Sequence, residues 1–198
     1  MASAQSFTAI TPAVFSWQAY ERAVKCDLSS CGIATAAGLI FVDPIDLAEP
    51  AMEELLAAKT PLAIVLTNGN HTRDAGKFRK RFGVKVFAAA DAEGLDITLD
   101  ATLADGDLIP GGMQVVALPG AGPGEIALVG NGIACVGDAL IHLEPEGLRL
   151  LPAKYCSDAR RLPDSLRKLL SSEFDVLTFA HGTPLVGQAR RRLELLLA

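Results

Sequence analysis

Four short segments of this chain carry the residue types that do hydrolytic or metal chemistry, and each follows an apolar run. After LAIVLT (Leu62 to Thr67) comes Asn68-Gly69-Asn70-His71-Thr72-Arg73-Asp74-Ala75-Gly76. After MQVVAL comes Pro119-Gly120-Ala121-Gly122-Pro123-Gly124-Glu125. Gly137-Asp138-Ala139 follows IACV, and His181-Gly182 follows DVLTFA. Histidine and aspartate at strand ends can ligate a metal or handle protons, asparagine offers amide donors and acceptors, and Gly-Pro loops bring backbone close to a ligand. The chain has only three histidines, His71, His142 and His181, so a metal site built from it must be poor in imidazole. The four cysteines, Cys26, Cys31, Cys135 and Cys156, form no CxxC pair and lack a finger-like histidine spacing, so they read as free thiols. No Ser-His-Asp or Cys-His arrangement stands out.

The elements that must position these segments follow from hydrophobic patterning. VFSWQAY, CGIATAA and GLIFVDP, between Ala13 and Asp43, read as strands, with Gly38 in a tight hairpin. A helix is expected from about Asp46 to Lys59, with Pro50 in its first turn. LAIVLT has the continuous apolar character of a strand buried on both faces. Helical character runs from Thr72 to Phe82 with Gly83 as C-cap, then a short strand from Val84 to Ala88 and a turn-rich stretch from Asp91 to Gly112. MQVVALPG, EIALVG and IACVGD read as strands, the last two joined by the hairpin dipeptide Asn131-Gly132. A helix near Asp158 to Ser171, the strand DVLTFA and a helix from about Leu185 to Leu197 close the chain. This order predicts an α+β protein: two mixed sheets face to face with helices on their outer faces, an αββα sandwich. The hairpins argue against a doubly wound parallel sheet. Without repeats or linkers, residues 1–198 are expected to form one domain.

Composition narrows the function classes. Half of the residues are hydrophobic, which suits a globular core. The net charge is −5, and the basic runs Lys77 to Arg81 and Arg190 to Arg192 fall in helical segments as solvated faces, so nucleic acid is not the expected partner. No apolar run is long enough to span a bilayer, and the first eleven residues do not resemble a secretory leader. A soluble, cytoplasmic protein without a membrane partner is expected.

Taken in order, the four segments resemble the metallo-β-lactamase superfamily, which reads T-H-x-H-x-D-H-x-G-G, then P-G-H-[ST]-P-G, then G-D, then G-H-G. Asp43 stands where that family ends a strand on an aspartate before its first helix. The resemblance covers about Cys31 to Thr183 and implies the αββα fold. The departures bear on chemistry. Asn68 and Asn70 stand where the family has paired histidines, Thr72 and Arg73 where it has Asp-His, and Ala121 where it has the histidine of P-G-H. Only Asp138 and His181 remain at ligand positions. The family's binuclear site uses five histidines and cannot be built from three. An Asn carbonyl is a weak zinc ligand, and a guanidinium has no lone pair to donate.

The leading expectation is therefore a hydrolase-like protein with a degenerate metal site. Its pocket is lined by Asn68, Asn70, Thr72, Arg73, Ala121, Asp138 and His181, with Asp43, His71 and Asp74 behind them. It holds no cofactor and takes a small polar or anionic ligand. Arg73 is expected to pair with Asp138, Asn70 or Thr72 to cap the following helix, His71 to face away from the site, and His142 to be structural. The first alternative is a metal-dependent hydrolase of esters, thioesters or phosphoesters. One zinc, manganese or iron would sit on a rearranged set, His71, Asp74, Asp138 and His181. The second is a non-catalytic interaction module, such as a homodimer packed through the N-terminal strands or the Leu-rich C-terminal helix.

Overall fold

Side-chain alternation along the strands sets the layers. In β4 (Gly38–Val42), Leu39 and Phe41 face one apolar cluster, whereas Ile40 and Val42 face another. The same split runs through β5 (Pro61–Val65), where Ala63 and Val65 share the cluster of Ile40, and Ile64 that of Phe41. Helices α1 (Glu49–Leu56) and α2 (Ala75–Phe82) bury Met52, Leu55, Ala75 and Phe78 on the Phe41 side. The Ile40 side meets a second sheet through Ile126, Leu128, Ile133 and Cys135. That sheet's other face, with Ala127, Val129 and Ala134, receives Leu162 and Leu166 of α3 (Leu162–Arg167) and Leu193 of α4 (Ala189–Leu196). Helix, sheet, sheet and helix thus stack as expected. This account covers residues 3–57 and 59–198 of a computed structural model.

The first sheet has seven strands in chain order: β1 (Thr8–Thr11), β2 (Val14–Glu21), β3 (Cys26–Thr35), β4, β5, β6 (Lys85–Ala89) and β7 (Ala101–Leu103). Pairing is antiparallel up to β4 and parallel from there on. The second sheet contains β8 (Gln114–Ala117), β9 (Ile126–Gly130), β10 (Gly132–Val136), β13 (Phe174–Thr178) and β14 (Leu185–Val186), in the order β14-β13-β10-β9-β8. A separate hairpin is formed by β11 (Leu140–Leu143) and β12 (Gly147–Leu150). Asn131 and Gly132, with φ of 53° and 76°, turn the β9–β10 hairpin as their types predict.

Several boundaries differ from the sequence reading. Helix α2 begins at Ala75 rather than Thr72, because Arg73 takes a left-handed φ of 44° that no helix continues through. Its end at Gly83, with φ of 65°, is as expected. The C-terminal helix begins at Ala189, not Leu185. Leu185 and Val186 pair with β13, and Gly187 and Gln188, both at positive φ, separate that strand from the helix. Helix α3 is shorter than expected and runs into a 3-10 turn over Lys168–Ser171. Strands β1, β7, β11 and β12 were not anticipated. Among the described residues, no helix is long and apolar enough to cross a membrane.

Candidate metal centre

The four segments converge at one end of the sandwich, together with the end of β4. Asp43, just beyond β4, is buried at a left-handed φ of 47°. Its Oδ1 accepts from Thr67 N at 2.8 Å, and its Oδ2 accepts from the Thr67 hydroxyl and lies 2.8 Å from His71 Nδ1. A carboxylate only accepts, so His71 must carry a proton on Nδ1, and in the neutral imidazole the lone pair then falls on Nε2. Nε2 points at Asp138 Oδ1, 3.2 Å away.

His181 arrives at the same oxygen from β13. Its Nδ1 donates to the Asp27 carbonyl at 2.9 Å, and its Nε2 stands 3.3 Å from Asp138 Oδ1. Two imidazoles, each bonded through Nδ1, thus bring their Nε2 atoms close to one carboxylate oxygen. Both nitrogens are within ion-pair reach of that buried oxygen, yet neither meets it at a hydrogen-bond angle, so Oδ1 has no hydrogen-bond partner. The donor atoms of His71, Asp138 and His181 all lie within 4.8 Å of one another.

The other oxygen of Asp138 has different company. Asn68 Nδ2 donates to Asp138 Oδ2 at 3.2 Å and to Glu125 Oε2 at 2.7 Å, while Asn68 Oδ1 accepts from Asn70 N at 2.8 Å. Glu125 Oε1 accepts from Ala139 N at 2.8 Å. A Cβ at Gly137 would run into both Thr67 Oγ1 and Glu125 Oε1, so only glycine lets the G-D turn sit this close. Burial and the Asp138 charge push the Glu125 carboxyl up to about 8. Asp138 is held well below the usual carboxylate range: burial opposes its charge, but His71 and His181 outweigh it.

The expected site residues are only partly assembled. Asn70, Arg73, Ala121, Asp138 and His181 line a cleft of about 1170 Å³, and Asn68 lies buried beneath it. Thr72 lies outside: its hydroxyl accepts from Asp96 N at 3.3 Å. Neither Asn70 nor Thr72 caps α2; its N-cap position is Asp74, and no side chain bonds there. Asp74 is also absent from the cluster, because it accepts from Asp46 N and pairs with Lys77. The expectation that His71 faces away does not hold. Asn68 closes a side-chain turn on Asn70 N, and the next residue turns inward, where Asp43 and Thr67 hold its Nδ1.

Arg73 does not pair with Asp138 either. Its guanidinium donates to the carbonyls of Ser29 at 2.5 Å, Asp43 at 3.1 Å and Ala180 at 3.3 Å, joining the first sheet to the end of β13. His142 lies off the site, bonded to the Thr183 carbonyl at 2.7 Å and packed on Phe179. Thr67 and Glu125 were missed by sequence reasoning. Glu125 had left a signal, a carboxylate opening the apolar strand EIALVG.

Comparison with known proteins agrees with this architecture. The family model of the metallo-β-lactamase superfamily matches residues 7–198. No curated protein matches the sequence significantly. Among solved structures, a metallo-β-lactamase from Pontibacter korlensis superposes with a TM-score of 0.73 at 17% identity, covering 97% of this chain and 98% of that one. The DIM-1 metallo-β-lactamase gives 0.73 at 15%, covering 98% of each chain. A metallo-β-lactamase family protein from Thermus thermophilus gives 0.66 at 20%, covering 96% of this chain and 79% of that one. Identities this low speak to fold alone, whereas the family model spans nearly the whole chain: it belongs to the metallo-β-lactamase superfamily.

Proposed function

We propose that this protein is a one-metal hydrolase of esters or thioesters, with His71 Nε2, His181 Nε2 and Asp138 Oδ1 as ligands for a single zinc, manganese or iron. The observation that supports it is the approach of two imidazole Nε2 atoms, their Nδ1 sides already bonded, to a buried carboxylate oxygen that has no hydrogen-bond partner. Donors around a tetrahedral zinc at about 2.0–2.2 Å stand roughly 3.3–3.6 Å apart, close to the 3.2 and 3.3 Å between each Nε2 and Oδ1. When bound, the cation supplies Lewis acidity and activates water toward a carbonyl centre.

The chain's own groups do the positioning. Asp43 and the Asp27 carbonyl orient the two imidazoles, as carboxylate and carbonyl partners do behind metal-binding histidines. Asn68 donates to Asp138 Oδ2 and leaves Oδ1 to the two imidazoles. Arg73 holds the strand ends carrying Asp43 and Ala180 in register with Ser29, so the ligands keep their spacing.

A metal-free binding site is the competing reading, favoured by one observation. Burial opposes charge on His71, but Asp43 and Asp138 outweigh it and raise its pKa from 6.5 to about 9. A proton then does the cation's work. Hydrolysis of p-nitrophenyl octanoate and of an octanoyl thioester separates the two readings. The one-metal reading predicts turnover lost with chelator and restored by one equivalent of metal. Inactivity in the presence of added zinc, manganese and iron would sink it.

A further inference from the structure

The cleft above the cluster has the walls of a site for an amphipathic anion. One wall is the β11–β12 hairpin. Its register pairs Ile141 with Arg149, so Ile141, Leu143 and Arg149 share the cleft side, while His142 turns away onto Phe179. Val24, from the β2–β3 connection, and Tyr155 add apolar surface to the same cleft although each is more than half exposed. Exposed apolar side chains gathered in the cleft beside the candidate metal centre suit an apolar ligand that would cover them.

Charge identifies the other end of that ligand. The chain as a whole carries −5, and Glu21, Asp27 and Asp138 line this cleft too. Yet Lys25, Arg149 and Lys154 stand with the apolar residues Val24, Ile141 and Tyr155 that neighbour them in the chain or across the hairpin. Among the described residues, no carboxylate pairs with Lys25 or Lys154; the Lys154 ammonium lies 4.7 Å from the Tyr155 ring centroid. Arg149 reaches Glu146 at 3.3 Å with one terminal nitrogen and leaves its buried Nε without a hydrogen-bond partner. Three cations beside an apolar wall are complementary to a chain ending in a phosphate or carboxylate.

We infer that the substrate is an acyl ester or thioester with an apolar acyl chain that packs on Ile141 and Leu143 and an anionic far end bound by Lys25, Arg149 and Lys154. The scissile bond rests on the one-metal reading above, whereas the recognition does not. Hydrolysis adds water across the acyl C–O or C–S bond and releases a carboxylic acid with an alcohol or thiol.

Calorimetric titration of the chelator-stripped full chain tests the recognition apart from the chemistry. Octyl phosphate is expected to bind once per chain. Octyltrimethylammonium and inorganic phosphate are each expected to bind at least tenfold more weakly. The triple variant K25A/R149M/K154A should weaken octyl phosphate at least tenfold with its melting temperature kept, and Leu143→Glu should weaken it as well. Equal binding of the ammonium compound, equal binding of inorganic phosphate, or an unaffected triple variant would overturn the inference. Octyl phosphate binding as expected, together with inactivity under every metal, would overturn the one-metal reading and leave this one standing.

Discussion

The two oxygens of Asp138 look into different halves of the site. Oδ1 faces two imidazoles whose other nitrogens are already bonded, and it lies buried at the edge of a wide cleft that Asp138 lines. Oδ2 faces a closed polar network, in which the Asn68 amide is shared with a buried Glu125 and the loop backbone completes the bonding. Asparagines and an alanine stand where the family pattern has histidines, and the loss is lopsided. One half kept lone pairs and access to the cleft, and the other became a satisfied hydrogen-bonded wall. A half that is fully satisfied offers an ion nothing, whereas a half where three donor atoms converge can hold one.

Substitutions that act on one half at a time test this division. Removing the shared ligand should have the largest effect: Asp138→Ala or His71→Ala is expected to weaken zinc binding by more than about a thousandfold in calorimetry, beyond the tenfold to hundredfold that supporting partners alone contribute. Asp43→Asn keeps the shape but weakens the bond that fixes His71, and a loss of about tenfold to hundredfold is expected. On the other half, Asn68→Ala leaves both Glu125 Oε2 and Asp138 Oδ2 without their donor. It should cost about 1–3 kcal/mol of stability, seen as a drop of several degrees in Tm, with less than about tenfold change in zinc affinity. If Asn68→Ala abolished metal binding as Asp138→Ala does, the two halves would not be separate.

The smallest expected effect is a pH dependence of the chelated protein. The folded pKa of His71 is raised from 6.5 to about 9, so its contribution is full below 6.5 and is lost as pH rises through about 9. Glu125 acts in the same direction, its contribution falling from pH 4.5 to about 8. The Tm of chelated protein should therefore fall by a few degrees between pH 6.5 and 9, and zinc should flatten the curve by taking the proton's place. An equal slope with and without zinc would mean that the ion does not meet His71.

The strands and most helices were legible because their apolar periods match the layers they occupy: Leu39 to Val42 alternates between two clusters, and Asn131-Gly132 turns the hairpin its residues predict. Asp138 and His181 were legible because the G-D and H-G turns fix them through the backbone. His71 was not, since it turns inward at a loop closed by the bond from Asn70 N to the Asn68 side chain and is held there by Asp43, contacts of which spacing carries no trace. The charge of Arg73 was visible, but its partners are three carbonyls, which sequence does not distinguish. The β11–β12 hairpin was hidden because β12 is only half-buried and lacks a continuous apolar run.

Metal stoichiometry tests the central claim most directly. Tag-free protein purified without chelator, offered zinc, manganese and iron and then dialysed, should retain one ion per chain by elemental analysis, and the Asp138→Ala protein should retain none. Zero in the parent protein would contradict the one-metal centre, and two would contradict the closed character of the Asn68 half.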